Sequence, residues 1–173
     1  MQEQVEISLQ QVLEFREKKV WLLQQYREQY RACTIVTLGM NIPGTHKNNE
    51  RIRGAFQEGT GKIRALLKKH GYEQLAETCV QNAAGNLAVF VLKKTAEKAV
   101  KADMIALEEE SEIGRLYDID VYRQDGTQVS REELHATLRK CFLCGNDAKI
   151  CGRSRKHSVQ ELEERMYQIL DAR

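Results

Sequence analysis

The chain has 173 residues, 42% of them hydrophobic and 30% charged, and a formal net charge of +2. That length accommodates one domain, or one domain with a small appendage, and the composition is that of a globular chain able to bury a sizeable core. The near-zero net charge carries no global nucleic-acid signature, so any basic patch is local, and no apolar run approaches the roughly 20 residues needed to span a bilayer.

The first six residues, Met1 to Glu6, are polar and acidic, with no basic stretch leading into an apolar one, so they do not read as a secretory signal. Five cysteines, three of them clustered, suit a reducing cytoplasm with a metal site or free thiols better than a disulfide framework. Ser8-Leu9-Gln10-Gln11 predicts a capping box opening a long helix through about Arg31. Leu9, Val12, Leu13, Val20, Leu23 and Tyr26 give it apolar positions at helical spacing, and the run Arg16-Glu17-Lys18-Lys19 reads as a solvated face. Cys33 to Met40 is a β-branched and apolar run that predicts a buried strand.

Asn41-Ile42-Pro43-Gly44 then predicts a tight turn, because proline presets φ and glycine accepts positive φ. Thr45 to Asn49 leads into a second helix, about Asn49 to Lys69, stopped by Gly71. A strand, a tight turn and a helix start with Lys47 nearby could cradle a phosphate, or could be an ordinary connection. Tyr72 to about Gln81 reads as a third, shorter helix with Cys79 in the core. Leu87 to Leu92 is apolar throughout and suits the centre of a sheet. Thr95 to about Ala106 reads as helical, and the acidic run Glu108 to Glu112 follows as a solvated loop or the source of a metal ligand.

Within Gly114 to Tyr122 the spacing predicts a strand with Asp118 and Asp120 on one face and Tyr117, Ile119 and Val121 on the other. Aspartate is depleted from strands. Two in the middle of an apolar one point either to a divalent cation held by hard oxygen ligands or to an edge strand wetted on one side. Asp125-Gly126 predicts a hairpin returning through Thr127 to Val129, and Ser130 to Glu133 a capping box.

Cys141-Phe142-Leu143-Cys144-Gly145 has the form of a zinc knuckle, in which a tight turn aims two sulfurs at one ion. Cys151 and His157 can complete a tetrahedral structural zinc site; the alternative is a set of reduced, partly buried thiols. Around these residues run six Lys or Arg residues (139, 140, 149, 153, 155 and 156) against one acid, Asp147. A basic loop leading to the helix start at Ser158 suits a phosphorylated ligand, an acidic protein or a zinc-knuckle contact with RNA.

Three blocks together resemble the apo-citrate lyase phosphoribosyl-dephospho-CoA transferase family, the citrate lyase holo-acyl-carrier-protein synthases. They are Asn41 to Gly44 with Lys47, Gly114 to Val121, and Cys141 to Cys144 with Cys151 to Ser158. Their order and separation also fit, so the resemblance spans nearly the whole chain; Gly152 stands where a small residue, usually alanine, is expected. The resemblance implies transfer of a prosthetic group from triphosphoribosyl-dephospho-CoA to a serine of the apo acyl carrier subunit of citrate lyase. Pyrophosphate leaves and a phosphodiester forms. It implies Mg²⁺ on Asp118 and Asp120, with Arg115, Lys47, Arg153 and Arg155 as candidates for the phosphates.

The resulting expectation is an α/β (α+β) chain, a mixed sheet flanked by helices and similar to nucleotidyltransferase folds in its Asp-apolar-Asp strand. It forms one transferase domain over 1–173, with 139–173 as a Cys- and Arg-rich appendage. A cytoplasmic location, no membrane and no nucleic-acid partner complete this expectation. The alternative is a non-enzymatic zinc-knuckle module binding RNA or an acidic protein.

Overall fold

In the computed structural model, which describes residues 6–173, four strands form one sheet in the order β2-β3-β1-β4. The strands are β1 (Cys33–Met40), β2 (Gln74–Asn82), β3 (Gly85–Lys93) and β4 (Tyr117–Tyr122). The helices are α1 (Leu9–Gln29), α2 (Glu50–Lys69), α3 (Glu97–Glu109), α4 (Ala148–Ser154) and α5 (Val159–Asp171). Met1 to Val5, most of the polar leader noted above, lie outside the described residues.

The α+β class holds, with helices on both faces of the sheet. The expectation of mixed pairing is corrected, because all three strand pairings are antiparallel. The helical crossovers do join parallel strands, β1 to β2 through α2 and β3 to β4 through α3. Each crossover skips one strand, which leaves only antiparallel neighbours. The second correction concerns β2, read from sequence as a short helix. Asn82 is followed by a two-residue turn in which Ala84 N–H bonds to Asn82 Oδ1 and Gly85 takes φ +152. That hairpin lays Gln74–Asn82 along the apolar β3, and ladder pairing overrides the helical propensity of its Gln, Glu and Ala. Cys79 consequently sits exposed on an edge strand, not in the core.

Strand alternation sorts the apolar residues into two layers. Val36, Leu38, Ala88, Phe90, Tyr117, Ile119 and Val121 face one way and pack with Ile52, Phe56 and Ile63 of α2, Met104 of α3 and Met166 and Ile169 of α5. Ile35, Leu87, Val89, Val91 and Tyr122 face the other way, under Leu22 and Leu23 of α1. Phe142 joins the first layer, so the cysteine-rich segment is anchored by its own aromatic residue.

The helix starts follow the sequence rules. Ser8 and Ser158 both form full capping boxes, with Gln11 and Glu161 respectively, and Asn49 caps α2 through Ile52 N–H. Gly44, in the predicted turn, takes φ +74. The Asp125-Gly126 hairpin closes with Arg123 N–H to Thr127 O and Val129 N–H to Val121 O.

Candidate functional site

The strand alternation puts Asp118 and Asp120 on the α1 side of β4, opposite Gly39 and Thr37 of β1. Tyr117, Ile119 and Val121 are buried on the other face, as the sequence spacing predicted. β4 is an edge strand, yet its acidic face is not simply wetted. Lys19 Nζ of α1 donates to Asp120 Oδ2 at 2.8 Å, and Arg139 Nη1 donates to Asp118 Oδ1 at 3.1 Å. Tyr122 Oη also donates to Asp120 Oδ2 at 3.3 Å. Burial pulls the Lys19 ammonium down, but the charge and hydrogen bond of Asp120 outweigh it and leave its pKa above the ordinary lysine value.

Lys19 corrects the sequence expectation for its segment. Arg16-Glu17-Lys18-Lys19 is not uniformly a solvated face: Lys19 points at the sheet while Glu17 and Lys18 are exposed. The signal was available in the helical period. Lys19 falls in register with Val12, Phe15, Leu22, Leu23 and Tyr26, the stripe that α1 turns to the sheet.

Two recesses meet at the pair. One, of about 550 Å³, lies beside β4 and is lined by Asp118, Asp120, Glu108, Arg131, Arg139 and Lys149 among others. The second, of about 420 Å³, lies between α1 and the β1 end of the sheet and holds Arg16, Lys19, Gly39, Lys47, Asp118 and Arg139. Asp118 and Arg139 line both. Lys47 Nζ is tethered to Ile42 O at 2.6 Å, which fixes the predicted turn beside the site. Burial, reinforced by Arg16 and opposed by Glu163, holds the Lys47 pKa below its ordinary value. Four cations thus converge on a site with one carboxylate half exposed (Asp118 side chain 49%) and one largely covered (Asp120 24%).

Glu108 organises the wall opposite. It is 4% exposed, and its carboxylate binds Arg139 and Arg131 as well as the backbone N–H of Ile119 at 2.9 Å. Lys101, also buried, donates to Ile119 O at 2.7 Å, so β4's free edge is bonded by an acid and a base from α3. Sequence reasoning placed Glu108 in a solvated acidic run. In the structure three of its four carboxylates are paired with arginines, since Glu109 also bonds Arg131 and Glu112 bonds Arg165. Among the described residues no third acidic, histidine or cysteine side chain joins the aspartates in a three-ligand cluster.

The other predicted phosphate ligands divide. Lys47 is in the site. Arg115 lines a smaller adjoining recess of about 240 Å³ with Glu109, Lys140 and Arg139. Arg153 and Arg155 are exposed on α4 and at its C-terminal end, and line none of these recesses. Arg16, Lys19 and Arg139 line the recess that holds Lys47, and Arg139 and Lys149 line the one beside β4.

Cys141, Cys144, Cys151 and His157 do come together. Their ligand atoms all lie within 4.8 Å of one another, an arrangement that can bind a metal. Cys144 Sγ is 3.5 Å from Cys151 Sγ and 3.2 Å from His157 Nε2. The Asn146 backbone N–H, with help from His157, brings the Cys144 thiol down to about 6, while burial pushes Cys151 up to about 11.

Residues 7–173 match the family model described as apo-citrate lyase phosphoribosyl-dephospho-CoA transferase. A Vibrio cholerae protein named "probable apo-citrate lyase phosphoribosyl-dephospho-CoA transferase" is 33% identical over 156 residues, covering 90% of this chain and 87% of that protein. A Streptococcus pyogenes protein of the same name is 29% identical over 167 residues, covering 95% and 85%. The chain also matches protein CitXG of Haemophilus influenzae, at 31% identity over 163 residues, which is 94% of this chain but 35% of that longer protein. The chain belongs to the apo-citrate lyase phosphoribosyl-dephospho-CoA transferase family.

Proposed function

We propose that this transferase moves the phosphoribosyl-dephospho-CoA group of triphosphoribosyl-dephospho-CoA onto a serine of the apo acyl carrier subunit of citrate lyase, at the Asp118–Asp120 site. Family membership supports a transferase acting on apo-citrate lyase. The observation that carries the finer reading is the convergence of Arg16, Lys19, Lys47 and Arg139 on two carboxylates that share one face of a strand. A triphosphate needs such cations, and two acids among them suit a divalent cation shared with the substrate.

The residues fit Mg²⁺. Among the described residues, the second oxygen of each carboxylate has no hydrogen-bond partner. Across from Asp120 lies Thr37, fully buried and with its hydroxyl unpartnered. Magnesium commonly takes one or two carboxylates and completes its shell with waters and substrate phosphates, so no third protein acid is required. Asp118 and Asp120 would hold the ion, which when bound neutralises charge on the triphosphate and its leaving pyrophosphate. Lys19 and Arg139 orient the two carboxylates, and Arg16 and Lys47 bind phosphate oxygens from the α1 side. Lys149 lines the opposite recess, where the carrier serine approaches. The serine Oγ–phosphorus bond forms as the bond from that phosphorus to the pyrophosphate oxygen breaks, and the serine hydroxyl proton is released to solvent.

Among the described residues no helix is long and apolar enough to cross a membrane. The five free thiols support a reducing compartment, the cytoplasm. The experiment is mass spectrometry of the apo carrier subunit after incubation with this protein, magnesium and triphosphoribosyl-dephospho-CoA. The expected product is heavier by the donor minus pyrophosphate, with the addition on a serine. An unmodified carrier in stoichiometric complex with the protein would replace the transferase reading with that of an assembly factor.

A further inference from the structure

The cysteine cluster is not used by the chemistry above, and its geometry is complete on its own. A tetrahedral zinc with Zn–S near 2.3 Å and Zn–N near 2.0 Å separates its ligand atoms by about 3.5 to 3.8 Å. The separations of 3.5 Å between Cys144 and Cys151 and 3.2 Å between Cys144 and His157 come close to this, and all four atoms lie within 4.8 Å. The backbone is shaped for the purpose. Gly145 takes φ +73 and donates to Cys141 O at 2.9 Å, while Cys141 N–H bonds Asn146 O at 2.6 Å, which closes the knuckle turn. Asp147 caps α4 through the N–H groups of Lys149 and Ile150, and the first turn of α4 delivers Cys151. Arg155 then reverses the chain at φ +47 and Lys156 N–H bonds Cys151 O, which returns His157 to the sulfurs.

We propose that Cys141, Cys144, Cys151 and His157 bind one Zn²⁺ in a closed tetrahedral site that fixes the wall of the cleft carrying Arg139 and Lys149. Four protein ligands leave no open position, so the metal is structural and not catalytic. Binding releases the thiol protons to solvent, and three thiolates with a neutral imidazole leave the centre at a net charge of −1. The basic run supplies the compensation: Lys156 Nζ lies 3.9 Å from Cys144 Sγ, and Arg153 and Arg155 belong to the same turn. The wall is tied directly to the knuckle. The backbones of Lys140 and Asp147 form an antiparallel bridge, Ala148 N–H bonds Arg139 O at 2.9 Å, and Phe142 enters the core between two of the ligands. The metal assignment stands apart from the function of the cleft; only its effect on Arg139 and Lys149 bears on that reading.

The test is elemental analysis of the reduced chain purified without chelator, followed by cobalt titration of chelator-treated protein. The expected results are close to one zinc per chain, and visible bands of a tetrahedral cobalt–thiolate centre. Cys144→Ser loses the metal, while Cys79→Ser, on the exposed edge of β2, keeps it. Chelator lowers the melting temperature of wild type and leaves Cys144→Ser unmoved, and hydrogen exchange rises across residues 139–157 when zinc is removed. Less than a tenth of an equivalent of zinc with no tetrahedral cobalt spectrum in the wild-type chain overturns the proposal, as does a full zinc content in Cys144→Ser. Loss of zinc with unimpaired transfer would separate the metal from the cleft wall.

Discussion

Glu108 is buried and ties two arginines to the free edge of β4, and Glu108→Gln is the perturbation that tests this role. The amide keeps the shape and can still accept the Ile119 N–H, but it removes the buried negative charge that Arg131, Arg139 and Lys101 share. Breaking a buried ion pair by removing one partner costs about 3–5 kcal/mol. Here the other carboxylates that face them remain, Glu109 with Thr137 O for Arg131 and Asp118 with Tyr117 O for Arg139, so the cost falls to about 2–4 kcal/mol. In a chain of this length each kcal/mol moves the melting temperature by about 2–4 °C, which gives a drop of about 4–16 °C. Transfer activity falls as well, because Arg139 loses its anchor beside Asp118. Glu109→Gln is the control: its side chain is 51% exposed, and removing its bond to Arg131 costs no more than about 1 kcal/mol. Thermal melts of both variants decide the matter. A Glu108→Gln protein melting within about 2 °C of wild type would refute the claim that this carboxylate holds the cleft wall.

Two further outcomes follow from single residues. A methyl group on Gly114 would stand 2.6 Å from Leu107 O and 2.7 Å from Glu108 O, so Gly114→Ala pushes the end of α3 off β4. Overpacking of this kind costs about 1–3 kcal/mol, and denaturant unfolding would contradict it by showing an unchanged midpoint. Lys47 is held below its ordinary 10.5 by burial, so the free protein binds fewer protons there than an open lysine would. A triphosphate favours the charged ammonium and raises that pKa, so donor binding takes up protons between the lowered value and 10.5. Calorimetry in two buffers of different ionisation heat reads this uptake, and Lys47→Met abolishes it; proton release on binding would reverse the sign.

The fold and the site were legible to different depths. β1, β3 and β4 could be read because their apolar runs and the alternation in Tyr117 to Val121 are properties of the residues themselves. The caps at Ser8, Asn49 and Ser158 were equally local. β2 was not, because its state is set by the partner strand and by an Asn82–Gly85 turn without the usual Asn-Gly or Asp-Gly signature. The same division runs through the site. Asp118, Asp120, Lys47 and the four metal-type ligands lie within recognisable motifs. Lys19 and Glu108 carry no motif, and their roles arise from α1 and α3 crossing the sheet, a contact 101 residues long in sequence for Lys19 and Asp120. Arg153 and Arg155, named for the phosphates by the family resemblance, stand exposed at the C-terminal end of α4, a placement set by the α4 turn and not readable from the motif.

The central claim is that Asp118 and Asp120 act on the transferred phosphoryl group, and the most direct measurement is single-turnover labelling of the apo carrier subunit by wild type, Asp118→Asn and Asp120→Asn at saturating magnesium. Loss of a metal-held charge of several kcal/mol corresponds to about a hundredfold to a thousandfold in rate. The account predicts a loss of at least that order in each variant, with melting profiles showing both still folded. Folded variants that label the carrier at the wild-type rate would contradict it.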